Sequence, residues 1–276
     1  MRRWFITGVS SGLGRALAQA ALEVGDVVAG TVRSEPARRD FAALHADRAF
    51  GYVMDVTDHA AVAAAVHAAQ AETGALDIVV NNAGYSLEGT LEETGWADIE
   101  AQFAANLFGP IAVIKAVLPA MRARHSGLIV NVTSLAGLLS SPGVGIYGGA
   151  KLALESVSDA LAQEVEPFGI GVMVVVPGAF RTDLGLNRRS AADTIADYAE
   201  QNSRRRQRLA ALSGHQRGDP AKAAQAVLAA IGTVPRPRRF LVGGDAVEHV
   251  RGFLSRYDAE IERWQAVSSE TDLADQ

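Results

Sequence analysis

Two residues suited to proton transfer, Tyr147 and Lys151, stand four positions apart in a segment with helical apolar spacing. Side chains four apart on a helix share a face, so we expect the phenol and the ammonium to be neighbours. A free tyrosine, with a pKa near ~10, is a poor acid or base at neutral pH, but a neighbouring cation favours the phenolate. The spacing therefore predicts an acid–base pair; an incidental pair on a helix surface fits it equally well.

Two further observations favour the catalytic interpretation of this pair. Lysine is rare, because Lys115, Lys151 and Lys222 are the only lysines among 26 basic residues. Ser134 lies thirteen residues before Tyr147, at the predicted end of a strand and across a glycine-rich loop. We expect its hydroxyl to reach the same place as the phenol.

A glycine-rich loop follows the first apolar run of the chain and precedes a predicted helix. It reads Gly8-Val9-Ser10-Ser11-Gly12-Leu13-Gly14. Glycines let a backbone turn tightly and approach a phosphate, and a helix N-terminus favours an anion. The spacing differs from the commoner G-x-G-x-x-G fingerprint, so a purely structural glycine turn remains the alternative.

The end of the second predicted strand bears on the type of dinucleotide. An acidic residue there would bind a ribose 2′-hydroxyl, whereas an arginine accommodates a 2′-phosphate. Here Val27–Val32 runs into Arg33 and Ser34, and no carboxylate occurs until Glu35. The planar guanidinium suits phosphate, so the sequence favours NADP(H) over NAD(H). The alternative is that Arg33 is an ordinary solvated side chain.

These residues must be positioned by strands that alternate with helices. The predicted strands are short apolar runs, at Trp4–Thr7, Val27–Val32, Phe50–Met54, Ile78–Asn81, Leu128–Thr133, Val172–Val176 and Arg239–Val242. The predicted helices are Leu13–Val24, one ending within Phe41–Ala46, Ala60–Glu72, Trp96–Arg124 in two parts around Gly109-Pro110, Ile146–Pro167 and Pro220–Ile231. Unbroken apolar strands separated by helices indicate a sheet buried on both faces.

The pattern predicts a Rossmann-type α/β fold, with a doubly wound, seven-stranded, mostly parallel sheet and helices on both faces. Each of the first six strands ends in polar or glycine residues, at the edge where such sheets bind ligands. No proline- or serine-rich linker divides the chain, so we predict a single domain over residues 1–276.

Taken together, the motifs resemble those of the short-chain dehydrogenase/reductase family, over roughly residues 4–245. The matching positions are Thr7-Gly8-x3-Gly12-x-Gly14, Asp55, Asn82-Ala83-Gly84, Asn106, Ser134, Tyr147-x3-Lys151 and Pro177-Gly178-x3-Thr182. One departure is Gly148-Gly149-Ala150 before Lys151, where the family often has serine next to the lysine. Two helical glycines cost up to ~1 kcal/mol each, which predicts close backbone packing there.

The resemblance implies a role for each matching residue. Tyr147 would be the acid in carbonyl reduction and the base in alcohol oxidation, and Ser134 would hold the substrate oxygen. Lys151 would lower the tyrosine pKa and hold the nicotinamide ribose, and Asn106 would hold a water of the proton relay. The residues implied to contact the cofactor are Gly8, Ser10, Ser11, Gly12, Leu13, Gly14, Arg33, Asp55, Val56, Asn82, Ala83, Gly84, Tyr147, Lys151, Pro177, Gly178, Phe180 and Thr182.

The expected function is an NADP(H)-dependent oxidoreductase that interconverts a ketone or aldehyde and an alcohol. A non-catalytic NADP-binding regulator or scaffold on the same fold is the alternative. Residues 179–218, the expected substrate lid, hold eight arginines against four acids. They form either a solvated helical face, which we favour, or a lid that recruits anions. Phe180 and Leu184–Leu186 predict an apolar wall, hence a small apolar carbonyl or alcohol substrate.

Composition excludes several other classes. A net charge of −5 disfavours nucleic-acid binding, and the absence of cysteine excludes thiolate chemistry. The histidines lack ligand spacing, so no metal is predicted; they are His45, His59, His67, His125, His215 and His249. No run approaches the ~18 apolar residues of a membrane span, and the start of the chain does not resemble an export signal, so we expect a cytoplasmic protein.

Residues 245–276 form a predicted helical tail with apolar residues at helical spacing. These are Val247, Val250, Phe253, Leu254, Tyr257, Ile261 and Trp264. We expect the tail to pack on its own sheet or on a partner subunit rather than on a membrane. The family resemblance implies a homodimer or homotetramer formed through the helices that carry Asn106 and Tyr147.

Overall fold

The parallel strands form one seven-stranded sheet in the order β3-β2-β1-β4-β6-β7-β9. The computed structural model describes residues 1–181, 188–192, 194–212 and 214–273. The strands of the sheet are β1 (Arg3–Thr7), β2 (Val27–Val32), β3 (Ala49–Val53), β4 (Ile78–Asn81), β6 (Gly127–Val132), β7 (Ile170–Pro177) and β9 (Arg239–Val242). Two short strands, β5 (Leu87–Glu88) and β8 (Arg189–Ser190), pair separately.

Helices cover both faces of the sheet. They are α1 (Gly12–Glu23), α2 (Glu35–Ala42), α3 (His59–Thr73), α4 (Trp96–Phe103), α5 (Gly109–Ala123), α6 (Leu135–Leu138), α7 (Gly145–Val165), α8 (Ala199–Leu212), α9 (Pro220–Gly232) and α10 (Gly244–Ser269). A π-helix over Ala104–Phe108 joins α4 to α5.

The core lies in two layers because successive side chains of a strand point to opposite faces. In β1, Trp4 and Ile6 join a core layer with α1 and α9, whereas Phe5 joins the opposite layer with α3 and α5. This two-sided burial explains the unbroken apolar strands and confirms the predicted fold class. Every strand pairing in the seven-stranded sheet is parallel, whereas the sequence predicted a mostly parallel sheet.

The two parts expected around Gly109-Pro110 are present: the π-helix ends at Phe108 and α5 begins at Gly109, while the chain stays helical from Trp96 to Ala123. Pro110 has no N–H to donate, and the widened π-turn just before it accommodates the missing bond. By length and composition alone this stretch could cross a membrane, although 44% of its most apolar window is buried. Val113, Ile114 and Val117 lie in the core, which is typical of a core helix.

Four elements were not assigned from the sequence: the paired strands β5 and β8, and the helices α6 and α8. The helix expected to end within Phe41–Ala46 spans Glu35–Ala42, so its predicted end is confirmed. Ser34 caps its N-terminus by accepting a hydrogen bond from the Ala37 N–H. The tail is helical as far as Ser269, and residues 274–276 lie outside the described part.

Candidate active site

A cleft of about 810 Å³ opens at the carboxyl ends of the sheet strands. The predicted site residues that line it are Gly8, Ser10, Ser11, Gly12, Leu13, Arg33, Asp55, Val56, Asn82, Ala83, Gly84, Asn106, Ser134, Tyr147, Lys151, Pro177, Gly178 and Phe180. Gly14 is not among the lining residues. Thr182 and Leu184–Leu186 lie outside the described residues. The sheet edge therefore brings together side chains from six separate strand ends.

The glycine loop between β1 and α1 turns at two positions that only glycine adopts easily. Gly8 has φ +73° and Gly12 has φ +60°. Gly14 serves packing instead, because a Cβ there would lie 2.3 Å from both the Asn82 Nδ2 and the Gly8 carbonyl oxygen. The loop presents the N-terminus of α1 to the cleft, as an anion-binding loop requires.

Asn82 ties this loop to the end of β4. Its side-chain Nδ2 donates to the carbonyl oxygens of Thr7 at 3.0 Å and Gly8 at 3.1 Å. In return, the Thr7 Oγ1 accepts hydrogen bonds from the Asn82 and Ala83 N–H groups, both at 2.9 Å. The Asn82 amide thus holds two cleft-forming loops in register.

Ser134, Tyr147 and Lys151 meet in one wall of the cleft. Ser134 Oγ accepts from the Ala136 N–H at 3.2 Å, which leaves its proton for the hydrogen bond with Tyr147. The Lys151 Nζ lies 6.0 Å from the centre of the Tyr147 ring and donates to the Val132 carbonyl oxygen at 3.0 Å. Both α7 side chains are buried, as their four-residue spacing on the inner helix face predicts.

The electrostatics of this wall differ in one respect from the expectation. Burial raises the pKa of Tyr147, and the hydrogen bond with Ser134 lowers it in part. The Lys151 ammonium donates its hydrogen bond to the Val132 carbonyl oxygen rather than to the phenol. Burial lowers the pKa of Lys151 to about 8. The Tyr147 phenol therefore keeps its proton at neutral pH, whereas the Lys151 ammonium titrates close to neutral pH.

Asn106 lies in the π-helix, where its amide is held in a fixed orientation. Its Nδ2 donates to the Tyr85 carbonyl at 3.0 Å and to the Gln102 carbonyl at 3.2 Å, while its buried Oδ1 has no partner. A Cβ on Gly84 would lie 2.3 Å from this oxygen and 3.6 Å from the Lys151 Nζ. The space above Gly84 thus separates the unsatisfied Asn106 Oδ1 from the Lys151 ammonium. A hydrogen-bonded group in this space could bridge the two.

We expect Gly84→Ala to lower turnover by about 10²-fold, because the new methyl group fills this space and displaces Asn106. Steady-state kinetics with any accepted carbonyl measures the effect, and circular dichroism checks the fold. The matched control is Gly149→Ala on α7, whose added Cβ would come no closer than 3.9 Å to the Phe103 ring. Equal activity of the two variants would contradict the importance of the Asn106–Lys151 gap.

The glycine pair in α7 is explained by its neighbours. A Cβ on Gly148 would lie 2.1 Å from the Ser140 Oγ and 2.5 Å from the Ala136 carbonyl oxygen. Gly148 therefore lets α7 approach the segment that carries Ser134. The predicted close packing is confirmed at Gly148 and is wrong at Gly149, where an added Cβ would make only an ordinary contact with the Phe103 ring at 3.9 Å.

A buried polar network that the sequence analysis missed anchors α7 behind the site. The Glu155 carboxylate, only 1% exposed, accepts from the Thr133 Oγ1 and from the Arg239 Nε, each at 3.0 Å. One turn further along, the Ser158 Oγ accepts from the Asn131 Nδ2 at 2.7 Å. These bonds tie α7 to β6 and β9, and so fix where Tyr147 and Lys151 stand.

Comparison with known proteins agrees with this geometry. The family model described as short chain dehydrogenase matches residues 3–193. The chain belongs to the short-chain dehydrogenase/reductase family. Oxidoreductase BOA17 of Botryotinia fuckeliana is 38% identical over 266 residues, which cover 96% of this chain and 97% of that protein. A 3-ketodihydrosphingosine reductase of Bacteroides thetaiotaomicron is 39% identical over 197 residues, 71% of each chain.

Solved structures of the family are similar over almost the whole chain. A short-chain dehydrogenase from Streptomyces avermitilis superposes with a TM-score of 0.90 at 41% identity, covering 99% of this chain and 100% of that one. A Burkholderia phymatum member in complex with NAD gives 0.82 at 28% identity, covering 95% of each chain. Members of this family use NAD or NADP. This short-chain dehydrogenase/reductase is an oxidoreductase.

Two arginines of the substrate segment enter the cleft, which the sequence analysis did not expect. Arg188 pairs with the buried Glu88 at 3.1 Å, and the Arg189 guanidinium lies 4.8 Å from the centre of the Tyr85 ring. Both line the cleft. Arg204 instead pairs with Glu200 on an exposed face of α8. The solvated-face interpretation fits Arg204, whereas Arg188 and Arg189 line the cleft.

The segment that follows Arg189 is fastened to the body by Glu93. Its Oε1 accepts from the N–H groups of Thr194 and Ile195, each at 3.0 Å, and its Oε2 accepts from the Asn202 Nδ2 at 2.9 Å. These bonds, together with one from Thr90, lower the pKa of Glu93 to about 2. A carboxylate thus connects the loop after β5 to the start of α8.

We expect the segment to loosen in acid, because protonation of Glu93 removes the charge that these donors bind. A depressed pKa contributes stability fully above the unfolded value of 4.5, and that contribution is lost as the pH falls toward 2. Pepsin should therefore cleave within residues 194–212 faster in Glu93→Gln than in wild type at pH about 4.5. Near pH 2 the two cleavage rates should become equal. The control is Glu200→Gln, and equal cleavage of both variants at the higher pH would contradict the anchor.

Within the described part of the chain, no group of three or more histidine, aspartate or glutamate side chains is placed to hold a metal ion. The described residues do fit a dinucleotide, since they present a glycine loop at a helix N-terminus and Arg33 at the end of β2. Beside Arg33, hydrogen bonds from Thr57 chiefly lower the pKa of Asp55, and the charges of Arg33 and Arg189 lower it further against the effect of burial.

Proposed function

We propose that this protein is an NADP(H)-dependent reductase of a ketone or aldehyde, and that it oxidises the corresponding alcohol in reverse. The observation that carries the proposal is the convergence of Ser134, Tyr147, Lys151 and Asn106 in one wall of the cleft. Reduced nicotinamide would supply the hydride, and the protein would supply orientation and electrostatics. Experiments with purified protein can therefore test the hydride supply and the side-chain roles separately.

Tyr147 is the proton donor to the carbonyl oxygen in this proposal. Burial raises its pKa, so the phenol stays protonated at neutral pH, as an acid for reduction must. Ser134 donates a hydrogen bond to the same oxygen as negative charge develops on it. Lys151 stabilises the phenolate that remains. The Asn106 Oδ1 would accept a hydrogen bond from the water of the proton relay, which returns a proton to Tyr147.

We expect carbonyl reduction to weaken as the pH rises through about 8. The pKa of Lys151 is lowered to about 8, so its ammonium is present below that pH and is lost above it. The phenolate formed in the transition state then loses its neighbouring cation. A plot of log kcat against pH should turn down with a slope of about −1, and a flat profile from pH about 6 to 10 would contradict the role of Lys151.

The preference for NADP(H) rests on the end of β2. Arg33 lines the cleft there, and Glu35 is the first carboxylate beyond β2. That carboxylate accepts two hydrogen bonds from the Arg38 Nε, at 2.8 and 2.9 Å, and so is engaged away from a ribose. The Arg33 guanidinium in the cleft lining and the occupied Glu35 carboxylate together favour a 2′-phosphate over a 2′-hydroxyl.

We propose a small apolar carbonyl or secondary alcohol as substrate. Phe180 lines the cleft, and the charge of the lining Arg188 is matched by Glu88 rather than left for an anion. The name of the Bacteroides relative also specifies a ketone. A panel of ketones, aldehydes and alcohols with NADPH tests this proposal: turnover should favour the apolar compounds, and a preference for small charged keto acids would overturn it.

We also propose a homodimer or homotetramer through the helices that carry Asn106 and Tyr147. Large apolar side chains are exposed along these helices: Trp96 at 79%, Phe108 at 48% and Leu152 at 50%. Exposed apolar clusters of this kind mark subunit contacts. Light scattering after size exclusion tests it, because a monomeric wild-type protein at micromolar concentration would exclude this interface.

A further inference from the structure

The last part of α10 is exposed along its whole length in the part of the chain that the structure describes. Asp245 fixes the start of the helix by accepting from the Ala179 N–H at 2.7 Å, and α10 contacts β9 and α6. From Leu254 to Ser269 every residue is exposed. An isolated helix of this length is marginal in water, so contacts from outside the subunit are needed to stabilise it.

Apolar residues form a continuous line along this helix. They are Val247, Val250, Leu254, Tyr257, Ile261 and Trp264, which we call the α10 seam. The intervals alternate between three and four residues, so the seam follows the a and d positions of three heptads. Leu254, Tyr257, Ile261 and Trp264 are each more than half exposed. Such a seam is the signature of helix-to-helix pairing rather than of a solvated helix.

We propose that the α10 seam pairs with the same seam of a second copy of this chain, in antiparallel orientation. In an antiparallel pair each a position faces a d position, so Val247 meets Trp264 of the partner subunit. Val250 then meets the partner's Ile261, and Leu254 meets the partner's Tyr257. The largest side chain of the seam is matched with one of the smallest, which lets the layers pack at even spacing.

Charges beside the seam favour this orientation over the parallel one. Arg251 and Asp258 both occupy the e position. In the antiparallel pair Arg251 faces Asp258 of the partner subunit, and the two-fold axis repeats the contact. In a parallel pair Arg251 would face Ala246 and Asp258 would face Phe253, so no opposite charges would meet. The parallel arrangement would also bring both protein bodies to the same end of the helices.

A lipid surface fits the same helix less well. Helices that lie on membranes carry many basic residues on their polar face. The α10 helix carries three arginines against five carboxylates, which are Asp245, Glu248, Asp258, Glu260 and Glu262. Its net charge is therefore negative, which disfavours anionic lipid headgroups. No seam residue lines the cleft, so this inference does not depend on the proposed function.

The mass of the full-length protein in solution tests the pairing. Ile261→Glu places a charge in the centre of the seam, whereas the control Ala259→Glu places one at the outward f position of the same helix. Sedimentation equilibrium at micromolar concentration should give Ile261→Glu half the mass of wild type, and Ala259→Glu the wild-type mass. A melting temperature of the Ile261→Glu variant equal to that of wild type would show that this variant folds. Equal masses for both variants would overturn the proposal.

Cysteine cross-linking tests the orientation, because the chain contains no cysteine. Under mild oxidation, a mixture of Leu254→Cys and Tyr257→Cys proteins should form a covalent dimer, whereas Leu254→Cys alone should not. Cross-linking of Leu254→Cys with itself would show parallel pairing and contradict the model of the interface. Flotation with phosphatidylcholine vesicles, lost in Ile261→Glu, would assign the seam to a membrane and overturn self-pairing.

Discussion

Tyr147→Phe should lower kcat for carbonyl reduction by about 10²–10⁴-fold and leave the dissociation constant of NADPH nearly unchanged. The substitution removes one oxygen from a buried ring that packs in the cleft wall, so the fold and the dinucleotide surface are retained. The reason for the loss is that Ser134 can hold the carbonyl oxygen but has no acidity near that of a phenol. Stopped-flow absorbance of the reduced nicotinamide measures the chemical step directly.

The matched control for this experiment is Tyr198→Phe. Tyr198 is a partly exposed tyrosine that does not line the cleft, and its hydroxyl donates to the Glu92 carboxylate at 2.8 Å. It should keep wild-type turnover. If Tyr147→Phe also kept wild-type turnover, the proton would have to come from another group, and the acid role assigned to Tyr147 would be wrong.

Arg33→Ala should raise the dissociation constant of NADPH by roughly 10- to 100-fold and change that of NADH by less than about threefold. The estimate follows from the loss of a charged hydrogen bond to phosphate, about 1.5–3 kcal/mol. Arg33 is exposed at the end of β2, so its removal should not disturb the core. Fluorescence titration with both reduced cofactors measures the two constants on the same preparation.

Arg39→Ala is the control, since it removes a second exposed arginine, on α2, that does not line the cleft. It should weaken neither cofactor by more than a small factor, because distant surface charges are screened by salt. A parallel loss of NADPH and NADH binding in Arg33→Ala would assign Arg33 to the adenine or the fold. It would remove the basis for the NADP(H) preference.

The sheet was predictable from the sequence because its strands are buried on both faces. Trp4, Phe5 and Ile6 are all apolar, although they belong to opposite core layers. Such runs separated by helices admit few arrangements, and the parallel order places the polar strand ends at one edge. This reasoning places Ser10, Arg33, Asp55 and Ser134 in one cleft without any coordinates.

The parts that could not be predicted depend on contacts between distant segments. The β5–β8 pair joins two-residue strands about a hundred positions apart, too short to leave a periodic pattern in the sequence. It is this pair that brings Arg189 to the cleft. Likewise, four-residue spacing places Tyr147 beside Lys151, but it does not reveal that the ammonium binds the Val132 carbonyl.

The central claim is hydride transfer to a carbonyl, and isotope transfer tests it most directly. NADPH that carries deuterium at the reactive carbon of its nicotinamide should be incubated with apolar ketones and aldehydes, and the alcohols examined by mass spectrometry. We predict one deuterium in the alcohol formed by the wild-type protein, and at least about 10²-fold slower formation of that labelled alcohol with Tyr147→Phe. Saturable binding of NADPH, with no labelled alcohol from any carbonyl offered, would contradict the catalytic account.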